Sequence, residues 1–255
     1  MVDSQPLLVA IVGRIETEKM VEMIAAGLTA AGTILLAVVA VFQDAIRRWL
    51  TRPKLELQLS PCAPDFHRTT IRHFYTVWNP QTGMPGYQQS MEIPCYYFRL
   101  RIINKGNCEA REVEVYVKDL KRHHELKGEF EDVSRFTPMN LLWSNVRQPF
   151  LPILSPKIPK LCDVAHVVPA EKRKEVGHIL PDVARTDCVV ALDVQVEPNS
   201  GGHLLGPGFY RLSLILAAAN SSPKEYLLDI RVTGDWYEDE TRMFQEGIRL
   251  HLKDM

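Results

Sequence analysis

The sequence predicts a mainly β protein: an immunoglobulin-like antiparallel β-sandwich preceded by one N-terminal transmembrane helix. Three observations carry that expectation. Met23–Phe42 runs for twenty residues without a charge. After Pro53 the apolar residues alternate with polar ones instead of recurring at helical spacing. Turn residues separate those alternating runs at short intervals. The chain divides accordingly into a leader at 1–22, a membrane helix at 23–43, a basic juxtamembrane linker at 44–53 and a sandwich domain at 54–255.

The leader carries a seven-residue apolar run at 7–13 and then a charged stretch ending at Glu22. Seven residues cannot cross a bilayer, so the leader is either a short helix on the outer interface or a tail. The next run is long enough. At about 1.5 Å per residue, twenty helical residues cover roughly 30 Å, the hydrocarbon thickness of a bilayer. A helix satisfies its own backbone groups there. A soluble core helix would show polar interruptions. A cleaved signal would start nearer the N-terminus and lack the acidic flank of Glu16, Glu18 and Glu22.

Orientation follows from the flanking cations. Arg14 and Lys19 precede the span, whereas Arg47, Arg48, Arg52 and Lys54 follow it. The richer side belongs in the cytoplasm, which places the sandwich there. Arg47, Arg48, Trp49 and Arg52 suit the headgroup layer at the membrane interface. Within the span, Ala26 and Ala30, and likewise Gly27 and Ala31, stand four apart, with Thr33 next along. Small residues at that spacing let two helices approach closely in lipid, so a homo-oligomer packed through this face is expected, with a lone span as the alternative.

The first strand of the domain is Leu55–Leu59. A second covers Tyr97–Ile103, and the turn Asn104-Lys105-Gly106 leads to a third at Val113–Val117, together a hairpin-like unit. Further strands are expected at Cys162–Val168, Val189–Val196, Tyr210–Ala217 and Tyr226–Val232. Asn79–Gln89 reads as a Pro/Gly loop. Phe150–Pro159, with three prolines, cannot be a central strand and should cross between sheets. Glu238–Gln245 suits a short helix with acid at its positive end, and Ile248–Leu252 one closing strand. Antiparallel sandwich packing is the natural way to bury such a set.

The segment 96–120, through Asn104, Gly106, Ala110, Val113 and Val115, resembles the strand–turn–strand unit of immunoglobulin-like domains of the bacterial CARDB type. The segment 206–220, through Gly208, Tyr210 and Leu212, is similar to the late strand that forms a tyrosine corner in such folds. The layout resembles single-pass bacterial membrane proteins with one cytosolic sandwich. It departs from secreted CARDB modules in lacking a cleavable signal and in its inserts at 64–92 and 121–160. The resemblance implies a fold and no particular chemistry.

The search for chemistry is correspondingly sparse. With 30 Lys+Arg against 31 Asp+Glu, the net charge of −1 offers no field for nucleic acid. The five cysteines are scattered without a CxxC pair, which argues against a zinc ribbon and suits a reducing compartment. The glycines at 206–208 lack the lysine of a phosphate-binding loop, and no G-x-S-x-G or H-E-x-x-H motif occurs. Cys162 with Asp163 and His166 is the best nucleophile candidate. Four strand residues would put the Cys162 and His166 side chains on one face about 13 Å apart, too far for a dyad. His123 and His124 read as a solvated loop rather than metal ligands, residues 171–175 as a solvated turn, and Trp143, Trp236 and Tyr237 as core or rim aromatics. The expectation is a membrane-anchored binding or scaffolding protein without catalysis, cofactor or metal. Its partners are the lipid bilayer, a second copy and an unidentified protein. The rivals are a membrane effector triggered through the soluble domain, and a hydrolase.

Overall fold

The computed structural model describes the backbone of residues 5–50, 52–78 and 83–255, with the side chains of 5–19, 44–50, Trp78, Pro85 and Tyr87 left aside. Two compact units divide the chain at Thr51/Arg52. The first is one helix, α1 (Gln5–Leu50). Its backbone stays helical beyond both ends of the apolar run, through the leader from Gln5 and through most of the linker. Met20–Gln43 is long and apolar enough to cross a membrane, and none of it is covered by protein.

The second unit is a sandwich of two antiparallel sheets. Its strands are β1 (Leu55–Gln58), β2 (Phe66–Trp78), β3 (Pro85–Asn104), β4 (Ala110–His124), β5 (Glu129–Asp132), β6 (Met139–Asn140) and β7 (Leu142–Trp143). They continue as β8 (Phe150–Leu154), β9 (Lys160–Val167), β10 (Val190–Leu192), β11 (Leu204–Leu205), β12 (Gly208–Ala218), β13 (Ser221–Val232) and β14 (Ile248–Asp254). One sheet runs β1-β3-β9-β10-β11, with β2 added to β3 and β7 to β9. The other runs β14-β13-β12-β4-β5, with β6 and β8 also on β4.

Period-two alternation builds the core. Tyr96, Phe98, Leu100 and Ile102 of β3 face Val113, Val115 and Val117 of β4 and the inward row Tyr210, Leu212, Leu214 and Leu216 of β12. Trp143, nearly wholly buried, donates its indole N–H to the Val113 carbonyl at 3.2 Å and ties β7 of one sheet to β4 of the other. Phe244, in the helical turn before β14, packs edge-on against Phe66, Tyr96 and Phe98 and closes one margin of the core.

Two sequence expectations are corrected here. Strands β3 and β4 do not form a hairpin; they belong to different sheets. The reason is Asn104, which is fully buried. Its carboxamide oxygen accepts from the backbone N–H groups of Lys54 and Gly106, and its amide donates to the carbonyls of Cys108 and Leu154. Four bonds from one side chain steer the chain across the sandwich. Gly106 is required because a Cβ there would lie 2.6 Å from the Arg52 carbonyl oxygen. The second correction concerns the insert at 64–92. Apart from 79–82, which fall outside the described residues, the expected loop at 79–89 is mostly strand. Phe66–Trp78 pairs with Pro85–Phe98 as a long hairpin arm. Part of one face of the arm, Ile71, Met91, Ile93 and Cys95, packs with Val168 and Val176 in a small cluster apart from the main core. Elsewhere the expectations hold in position: Phe150–Leu154 is an edge strand on β4, the chain then crosses to β9, and Asp239 caps a short helical turn before the closing strand. The strand expected at Val189–Val196 is shorter, with Val194 reduced to a single bridge to Leu141.

Candidate functional site

The residues singled out for membrane contact lie on α1. Ala26, Gly27, Ala30, Ala31 and Thr33 are all exposed along it, and the Thr33 hydroxyl donates to the Thr29 carbonyl of its own helix at 2.9 Å. Side chains of Arg47, Arg48 and Trp49 fall outside the described residues; Arg52 is exposed.

The expected geometry of Cys162 and His166 is overturned. A bulge interrupts β9, where Ala165 pairs with Phe98 and Asp163 with Arg99, leaving Val164 extra. The alternation therefore shifts by one. Cys162 points into the core with its thiol against the Leu142 carbonyl, and burial, followed by Asp163 and Asp193, raises that thiol well above its ordinary value. His166 instead pairs with Asp193 on the outer face of the sheet.

That outer face holds a polar cluster. Tyr97 and Arg99 alternate outward from β3. Arg99 donates from Nε to Asp163 at 2.7 Å, and the Ser144 hydroxyl donates to the same oxygen at 2.6 Å. Asp193 is bonded on both oxygens, to His166 Nδ1 at 3.0 Å and to Arg147 at 3.0 Å. Its backbone is held too, since its N–H donates to the carbonyl of the bulge residue Val164. The His67, Tyr97 and His166 rings stack in sequence, and His178 lies 4.9 Å from His166. Burial, with the facing His166 and His203, pushes His178 down to about 3. Burial lowers His203 as well, and burial with Arg99 lowers His67. For Asp193, burial alone would raise the carboxyl, but His166 and Arg147 hold it below its ordinary value.

His166 with Asp193 has the form of a base and its orienting group. Cys162 is on the far face and Ser144 is committed to Asp163, while burial raises the Cys95 thiol and the Tyr97 hydroxyl of this face well above their ordinary values. The cluster instead fastens loops to the sheet. Arg173, expected to be solvated, is buried and donates to the carbonyls of His178, Ala184 and Asp187.

A second concentration of charge lines an open groove of about 1150 Å³ near the β4–β5 turn. Arg122, Arg135 and Arg231 contribute to it, together with Tyr210 and the ring pair His123 and Phe209. His123 and His124, expected in a solvated loop, end β4 instead. Tyr210 is buried, and burial raises its hydroxyl above the ordinary value against the opposing pull of Arg122, Arg135 and the Gly206 backbone.

Sequence reasoning missed Arg99, Arg147, Asp163, Asp193, His178 and His203 as a group. One signal was available. Asp163 and Asp193 each stand alone inside an apolar run, Leu161–Val168 and Val189–Val196, where an unpartnered carboxylate is too costly to bury. Comparison with protein-family models, curated proteins and solved structures finds no match.

Proposed function

We propose that the chain is a single-pass membrane protein that presents a CARDB-type immunoglobulin-like sandwich on the cytoplasmic side and uses it to bind a partner. The observation that carries this reading is the uncovered apolar helix at Met20–Gln43, joined to a complete sandwich. The cation excess after the span supports the orientation. Tyr210, buried near the start of β12, takes the place of a tyrosine corner and supports the family likeness. Binding is favoured over catalysis because the two carboxylates of the outer face are committed, Asp163 to Arg99 and Ser144 and Asp193 to His166 and Arg147. Self-association through Ala26, Gly27, Ala30, Ala31 and Thr33 belongs to the same proposal. The Thr29 and Thr33 hydroxyls are used within the helix, so attraction between copies rests on backbone approach at the small residues.

The native Cys62, which is exposed, reports the topology. Carbonate extraction should leave the chain in the membrane pellet, and deleting residues 20–43 should release it. A membrane-impermeant maleimide should label Cys62 only after lysis; labelling on intact cells would reverse the orientation.

A further inference from the structure

We propose that the groove beside the β4–β5 turn binds a phosphate-bearing anion, held by Arg122 and Arg135 next to the Tyr210 hydroxyl. Arg122 is fixed before any ligand arrives. Its Nη2 donates to the Pro207 carbonyl at 3.0 Å, and its guanidinium lies over the Tyr210 ring at 5.7 Å. Room for it depends on Gly208, where a Cβ would sit 3.2 Å from the Arg122 Nε. A guanidinium spending one N–H on a carbonyl keeps the rest of its fork for a planar or tetrahedral oxyanion. Arg135 is exposed and lines the same groove as Arg122 and Tyr210.

Neither arginine has a carboxylate partner among the described residues. The acids nearby are engaged elsewhere: Glu131 is paired with Lys127, and Asp132 lies 3.5 Å from Lys121, which leaves Glu125 at the turn. Two uncompensated guanidinium groups match a dianion. The volume exceeds that of a bare ion, and the rings of Phe209 and His123 lie along the same groove for the remainder of a ligand. A phosphate monoester meets these requirements, whether free in solution or as a lipid headgroup. The inference adds a ligand to the binding reading and rests on it only for placing the sandwich at a membrane.

The test uses the full chain in phosphatidylcholine nanodiscs, reading amide hydrogen exchange at Lys127 and Gly128, whose N–H groups bond the His124 carbonyl. Inorganic phosphate added to these discs probes the soluble source. Discs containing phosphatidic acid, without added phosphate, probe the lipid source. Slowed exchange in either arm supports the site and identifies the source. Arg135→Ala should weaken the effective arm about tenfold, the order of one charge-assisted hydrogen bond, and Arg135→Lys should restore part of it. Arg135 is exposed, so these variants keep the fold. The proposal is overturned if neither arm slows exchange, if chloride at matched ionic strength does as well, or if Arg135→Ala binds as tightly as the parent. Failure of the anchoring reading has a different signature, because the chain would then not enter discs at all.

Discussion

The outer face of the β3–β9–β10 sheet and the groove at the β4–β5 turn both collect charge, and they use it in opposite ways. On the sheet, Asp163 and Asp193 are almost without exposure and each is held by two donors. In the groove, Arg135 and Arg231 stand exposed with no acidic partner among the described residues. Charge taken out of water has to be neutralised within the fold, and so becomes part of its frame. Charge left at the surface contributes little to stability and stays available to something else.

The two regions should therefore separate cleanly on mutation. The largest effect is expected at Asp193→Ala, which strands His166 and Arg147 and should cost about 3 kcal/mol of stability, read from the urea midpoint of the sandwich. Arg173→Met should cost less, about 2 kcal/mol, because three carbonyls lose a charged donor while the aliphatic volume is kept. Next comes pH. His178 binds its proton near 6.5 when unfolded but only near 3 in the fold, so the unfolded chain takes up more protons between those values. Stability is complete above 6.5 and falls as the pH drops through that window, by about 1.4 kcal/mol per pH unit for one such group. His178→Phe should flatten that slope in urea titrations run across the range. The smallest effect belongs to the groove. Arg135→Ala should shift the urea midpoint by no more than about 0.5 kcal/mol. A loss as large as that at Asp193 would erase the distinction between the two regions.

Much of the sandwich was legible because its central strands bury one face against a second sheet. Burial alternates along β12 as the sequence does, Tyr210, Leu212, Leu214 and Leu216 in, Arg211, Ser213 and Ile215 out. The hairpin arm was not legible, since only a short part of one face is covered, around Ile71, Met91 and Ile93, while Arg72 and Phe74 on the other are exposed. The turn at Asn104 was read correctly as a turn and wrongly as a hairpin. Nothing local distinguishes a reversal from a crossing when the deciding partners, Lys54 and Leu154, are each 50 residues away. The polar cluster was hidden for the same reason. Its members come from β2, β3, β9 and three separate loops, and only the lone aspartates in apolar runs betrayed it. The groove arginines gave no sign, because an exposed arginine near a turn is commonplace.

Val164 makes β9 one residue longer than the stretch of β3 opposite it, and that surplus has a consequence for how the sequence can change. Elsewhere in the sheet, losing a residue would exchange inside for outside along the rest of the strand. In β9 the surplus can absorb such a loss: with Val164 gone, Asp163 still meets Arg99 and Ala165 still meets Phe98. What would vanish is one buried core side chain and the carbonyl that accepts from the Asp193 N–H. The strand is thus tolerant in its length and intolerant in its content. A shortened β9 would keep its place in the sheet yet lose one of the two backbone ties on Asp193, separating the pairing of the sheet from the assembly of the charges on it.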